Sequence, residues 1–241
     1  MPSKNIGFNR KILLLWLDAA ASLCAESQDP AEIRTRLDAI IQPDLTSPTN
    51  RRKTIDILLN IWLKTAGLVP HIYAQAIENF PQGAVGDRLW LHYGLTLVAY
   101  PFFREVVAAM GQTSRFEETI TFHLIQQKIT AELGQLGSLK EAVYRVFFSL
   151  RDWNILSDGE KARTYCVNRG TLKASSPATE SWLLACALHA HPAEELPFAD
   201  LLRLPELFPF SFTLTVDDLR NHPDFAVQRQ GVGWEMVRLS I

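Results

Sequence analysis

The sequence predicts a mainly α-helical protein, a helical bundle with one β-hairpin near its middle and another close to its C-terminal end. Three observations carry that expectation. Apolar residues recur at helical spacing through most of the 241 residues. Helix-start signals precede many of those stretches, as at Asp29-Pro30 and Ser47-Pro48. Strand-forming residues around turn residues are concentrated at 155–167 and 225–240. An apolar share of 47%, with six Trp and thirteen Phe, is enough to bury a substantial core.

Residues 1–68 read as a three-helix, helix-turn-helix-like region. Ile12, Leu13, Trp16, Leu17 and Ala20 form the stripe of a helix beginning near Asn9. Asp29 as N-cap, Pro30 at the first helical position and Glu32 in the first turn start a second helix running to about Ile41. Its inner stripe is Ile33, Leu37 and Ile40 or Ile41. Ser47 and Pro48 start a third, with Ile55, Leu58, Leu59 and Trp62 on its apolar face and Gly67 and Pro70 beyond its end. The breaker-rich "QPDLTSPT" joins the last two. The third helix opens with Arg51, Arg52 and Lys53. Cations in a first turn oppose the helix dipole, so local stability does not account for them. Either an anionic partner or solvation and pairing with acids would.

Residues 69–113 are the most apolar and read as a helical connecting core. A short helix at 71–80, a turn cluster "PQGAVGD", a buried helix at 88–100 and a further one from Pro101 to Met110 are expected. The apolar run at 89–103 is shorter than the ~20 residues of a membrane span.

Residues 114–173 form the third unit. A helix over 114–133 places Phe122, Ile125, Ile129 and Leu133 on one face, and Gly134 and Gly137 bound a tight turn. Ser138 and Glu141 have the spacing of a capping box. The helix they open should bury Leu139, Ala142, Val143, Val146, Phe147 and Leu150. Asn154 can end it in a left-handed conformation. A strand at Ile155 and Leu156, a turn at 157–160 and a returning strand "RTYCV" follow.

Residues 174–241 contain a helix around Trp182, Leu183, Leu184 and Leu188, then a Pro-punctuated loop. A strand "FTLT", a short helix capped at Thr215 and a hairpin turning at 231–233 complete the chain. Phe225, Val227, Trp234 and Met236 are the expected inward positions of that hairpin.

The net charge of −2 is unevenly spread. Residues 1–64 hold nine Lys/Arg against seven Asp/Glu, and residues 138–173 hold seven against four.

The stretch "LKEAVYRVFFSLRDWNILSDGEKARTYCV" resembles the second half of a winged helix-turn-helix, over about residues 119–168, with Asn154 in place of the usual glycine. The resemblance implies a helix for the DNA major groove and a wing for the backbone or minor groove. Lys140, Tyr144, Arg145 and Arg151 would be the helix contacts, and Lys161 and Arg163 the wing contacts. The helix lacks the Asn, Gln and multiple Arg suited to reading base edges, so binding of double-stranded DNA with little sequence preference is expected. Winged helices also dock proteins, and Tyr144 and Phe148 leave a helical protein-interaction scaffold as the alternative. "SPTNRRKTIDILLNIW", following two short helices, is similar to the accessory protein A of bacteriophage-exclusion defence systems. That similarity implies a DNA-binding accessory without catalysis in a phage-defence or regulatory complex.

No phosphate-binding, dinucleotide, zinc-protease or nucleophile-elbow motif is present, so neither catalysis nor a cofactor is expected. His189 and His191, near Glu194 and Glu195, lie at i and i+2 beside Pro192 and do not share a helix face, so no metal is expected there. His92 and His123 in apolar stretches are expected to satisfy buried hydrogen bonds, and Asp217 and Asp218 to cap a helix. Cys24, Cys166 and Cys186 are odd in number and widely spaced, which fits a reducing cytoplasm rather than a disulfide framework. Asp18 interrupts the early apolar run after Leu17, which argues against a signal peptide.

Overall fold

The architecture is seen in a computed structural model whose described residues are 6–134, 137–231 and 233–240. Helices dominate. The first three, α1 (Leu14–Glu26), α2 (Pro30–Ile41) and α3 (Pro48–Trp62), pack against one another. Asp29 accepts a hydrogen bond from the Ala31 amide at 2.9 Å and Ser47 Oγ one from the Asn50 amide at 3.4 Å, so both caps act as their residue types predict. Ile33, Leu37 and Ile41 are buried, and Ile40 is exposed.

Helix α1 starts later than its apolar spacing predicts. The chain before it runs onto the end of a distant helix, where the Ile12 amide donates to Ser149 Oγ at 2.8 Å and the Leu14 amide to Asp152 Oδ1 at 2.7 Å. Trp153 Nε1 donates to the Ile12 carbonyl at 3.0 Å, while Phe8 and Ile12 are fully buried. These long-range bonds satisfy amides that a longer helix would otherwise have used.

After a 3₁₀ turn (Lys64–Gly67) come α4 (Pro70–Gln82), α5 (Arg88–Ala99) and α6 (Pro101–Thr113). Helix α5 is buried almost all round and packs against α3, α6 and the later helix α9 (Pro177–Ala190). Within it, His92 has the buried hydrogen-bonding role its apolar setting predicts. Trp62 Nε1 donates to His92 Nδ1 at 3.0 Å, which places the imidazole proton on Nε2, 3.0 Å from Asp18 Oδ1. Burial pushes the His92 pKa below 6.5, against the opposing pull of Asp18. A second proton would break the Trp62 bond. Because the folded-state pKa is depressed, the stabilisation is complete above 6.5 and is lost as the pH falls below that value. Thermal unfolding is therefore expected at lower temperature at mildly acidic pH than at neutral pH, and His92→Gln should reduce that difference. An equal acid sensitivity in the variant would contradict this assignment.

The third unit follows as β1 (Thr119–Thr121), α7 (Phe122–Leu133), α8 (Leu139–Asp152), β2 (Leu156–Asp158) and β3 (Thr164–Val167). Its strands form an antiparallel sheet of order β1-β3-β2, with Ile120 opposite Tyr165 and Leu156 opposite Val167. The single helix expected over 114–133 is thus confined to residues 122–133. Residues 119–121 are Thr-Ile-Thr, β-branched throughout, and their ladder partner arrives more than forty residues later. Thr121 then caps α7, accepting from the Leu124 amide at 3.2 Å. The capping box at Ser138 does not form: Ser138 makes no side-chain cap, and Glu141 turns to Arg145 at 3.4 Å.

Beyond β3 comes β4 (Leu172–Lys173), which lies parallel to β6 (Phe210–Ser211). Helix α9 is followed by β5 (Glu195–Pro197), α10 (Phe198–Leu201), a 3₁₀ turn (Pro205–Leu207) and β6 (Phe210–Ser211). Strand β6 lies just before "FTLT", which is not itself a strand. Thr215 and Asp218 form a reciprocal capping box on α11 (Val216–Arg220). The hairpin β7 (Phe225–Gln230) and β8 (Trp234–Leu239) joins β5 in a sheet of order β5-β8-β7. Gly231 (φ 59°) and Gly233 (φ 98°) flank its turn, and Val232 lies outside the described residues. On β8 the inward set is shifted by one residue. Val237 is buried opposite Val227 and Trp234 is exposed, because register with β7 decides the face of β8.

The buried apolar side chains from the N-terminal segment to β8 form one connected core. Among the described residues no helix is long and apolar enough to cross a membrane.

Candidate nucleic-acid interface

Helix α8 owes its orientation to a continuous apolar stripe. Leu139, Ala142, Val143, Val146, Phe147 and Leu150 are all buried, leaving a single polar-aromatic face outward. It ends in a double hydrogen-bonded stop: the Ile155 amide donates to the Leu150 carbonyl at 2.9 Å and the Asn154 amide to the Arg151 carbonyl at 3.1 Å. Asn154 adopts φ 56° there, the left-handed conformation its residue type accommodates. This stop turns the chain directly into β2.

Between β2 and β3 the hairpin closes through the Gly159 amide on the Thr164 carbonyl at 2.9 Å and the Thr164 amide on the Lys161 carbonyl at 3.1 Å. Arg163 sits at φ 64°. Lys161 and Arg163 are exposed at the tip, and Lys140 is exposed in the first turn of α8. None of the three makes an ion pair among the described residues.

The remaining predicted contacts are engaged within the unit. Arg151 bridges to Asp158, and its guanidinium lies 5.9 Å from the Phe148 ring centroid and 5.7 Å from that of Tyr165. Arg145 pairs with Glu141 one turn back. Tyr144 is half-buried between Phe122 and Phe148, with ring centroids at 4.1 and 5.3 Å. Phe122, which its spacing places on one face with Ile125, Ile129 and Leu133, is half-buried and joins this aromatic strip.

The basic triplet of α3 divides differently. Arg51 is only 8% exposed; its Nε donates to Asp38 Oδ1 at 2.8 Å and its Nη1 to the Leu45 and Thr46 carbonyls at 3.1 and 2.8 Å. It ties the α2–α3 turn together and is withdrawn from the candidate surface. Arg52 and Lys53 are exposed. Helix α3 packs with α1, α2 and α5, whereas α8 packs with α6, α7 and β2, so the triplet and the hairpin are carried by elements with different main neighbours.

Other chemistry-bearing residues have structural roles. His191 Nδ1 accepts from the Ala193 amide at 3.1 Å, and burial lowers the pKa of His189. His123 is exposed rather than buried. Among the described residues no cluster of three His, Cys, Asp or Glu side chains could hold a metal ion. Cys24 and Cys186 are buried, and burial raises the Cys24 thiol to about 12.

Comparison of this chain with protein-family models, with curated proteins and with solved structures found no match.

Proposed function

We propose that β1, α7, α8, β2 and β3 act as a winged-helix unit that grips double-stranded DNA through its phosphate backbone. The observation that carries the reading is the exposed hairpin tip with Lys161 and Arg163 free of carboxylate partners among the described residues, joined by a tight stop to the helix that presents Lys140. Lys and Arg contacts to phosphate position a protein without selecting sequence. Arg145 and Arg151 are already paired with carboxylates, so little remains on α8 for reading bases. The unit is non-catalytic in this reading, and membership of a phage-defence or regulatory assembly rests on the resemblance of residues 47–62, after two short helices, and on the largely helical remainder.

Two double variants test it with equal loss of charge. Lys161→Ala with Arg163→Ala is expected to weaken duplex binding about tenfold or more at low salt, and Arg52→Ala with Lys53→Ala to weaken it less. The reverse order would move the interface to α3.

The strip Phe122–Tyr144–Phe148 supports a second reading, in which the same unit docks a protein. There, Tyr144→Ala abolishes a partner complex that withstands high salt and leaves DNA affinity unchanged.

A further inference from the structure

A cavity of about 380 Å³ lies between the end of α6, the segment after β3 and the turn that follows α10. Three arginines line it, Arg115, Arg169 and Arg203, over an apolar wall that includes Leu204, Leu207 and Phe208. Thr119 pairs with Cys166, and β3 runs from the hairpin tip towards Val167. Arg115 and Arg169 therefore sit at the end of the sheet opposite Lys161 and Arg163. The cavity is not part of the proposed DNA surface.

Two of the guanidiniums are held by neutral acceptors. Arg169 Nη1 donates to the Gly111 carbonyl at 2.9 Å and to Ser114 Oγ at 2.7 Å, and Arg115 Nη2 donates to the Arg203 carbonyl at 2.6 Å. Among the described residues no carboxylate lies within ion-pair distance of any of the three, although Glu117, Glu118 and Asp200 are near in sequence. Glu206, in the same turn, faces the other way: its Oε1 accepts from Arg104 Nε at 3.0 Å and its side chain is buried. Burial, and then the charge of Arg115, push the Arg169 pKa below its ordinary value. Arg115 and Arg169 repel each other across this concave surface, which Arg203 also lines, and no acid offsets them until an anion joins.

We propose that this cavity binds a small phosphate monoester with an apolar or aromatic body of nucleoside size. Arginine donors match phosphate oxygens in a forked geometry, and the apolar wall accepts the body. The volume lies at the lower end of the range for small-molecule sites. The inference stands apart from the DNA reading, because neither Lys161 nor Arg163 contributes to it.

Calorimetric titration of the full chain with adenosine monophosphate, adenosine and inorganic phosphate tests it. The monophosphate is expected to bind saturably and more tightly than either fragment. Arg203→Met is the cleanest variant, since the Arg203 side chain makes no hydrogen bond among the described residues while its main-chain carbonyl is retained. It should weaken monophosphate binding about tenfold or more, the usual loss for a charge-assisted bond, with unchanged thermal stability. Arg115→Met with Arg203→Met should weaken it further. Absence of saturable binding, equal affinity for adenosine, unchanged affinity in the variants, or displacement of the monophosphate by duplex DNA would each overturn the proposal.

Discussion

Trp153→Ala is expected to lower the free energy of unfolding by about 3–5 kcal/mol, the cost typical of removing a buried large aromatic. Trp153 is 1% exposed, and its ring lies 5.8 Å from that of Phe103 on α6. It also provides the Nε1 donor for the Ile12 carbonyl. Truncation therefore opens a cavity and orphans a buried acceptor on the N-terminal segment. Trp153→Phe keeps most of the volume and loses only the hydrogen bond, for about 1–2 kcal/mol. The location gives the result wider meaning. Ser149, Asp152 and Trp153 all hold the N-terminal segment, and all lie at the end of the helix that presents Lys140 and leads into the hairpin. Denaturant unfolding of the two variants would measure both effects; a loss near zero for Trp153→Ala would mean that this clamp does not hold the segment.

Gly111→Ala is expected to destabilise by about 1–3 kcal/mol, towards the upper end of the range for overpacking, although it adds one methyl group to a helix. A Cβ at Gly111 would lie 1.9 Å from the Pro205 carbonyl oxygen and 3.0 Å from Phe208 Cδ1. The obstacle is backbone, so α6 and the 3₁₀ turn must separate. That turn carries part of the arginine-lined cavity, and the Gly111 carbonyl holds Arg169. Gly67→Ala is the matched control: nothing lies within 4 Å of its added Cβ. It should change stability by at most about 1 kcal/mol, in the stabilising direction. Comparable losses in the two variants would contradict the close approach of α6 to the turn.

What could be read from the sequence was local. The buried set of α8 follows from its 3.6-residue spacing, and all six predicted side chains are buried. Asn154, Asp29, Ser47 and Thr215 act as their residue types suggest, because caps and left-handed stops depend on a few neighbouring atoms. Ser138 shows the limit, since the same local pattern is overridden there. What escaped was set by distant partners. Strand β1 has three residues and exists through its pairing with β3. The late start of α1 depends on Ser149 and Asp152. The face of β8 is decided by Val227 and Phe225 on its neighbour, so alternation judged from Trp234 and Met236 alone selected the wrong side.

The candidate site divides along the same line. Lys140, Lys161 and Arg163 are exposed, as hydrophilic residues near a helix start and in a turn should be. Charge alone could not reveal that Arg51 is consumed by Asp38 and two carbonyls, or that Arg151 braces Asp158. The cavity of Arg115, Arg169 and Arg203 joins residues 88 positions apart between its first and last arginine, a distance no spacing motif spans.

The most direct test is the salt dependence of duplex DNA binding by the full chain. If Lys140, Lys161 and Arg163 each meet one phosphate, the logarithm of the binding constant should fall against the logarithm of salt concentration with a slope of about −3. The slope should be the same for unrelated sequences and shallower by about 2 when Lys161 and Arg163 are replaced by Ala. No binding at low salt, or a slope near zero, would contradict a backbone-gripping wing.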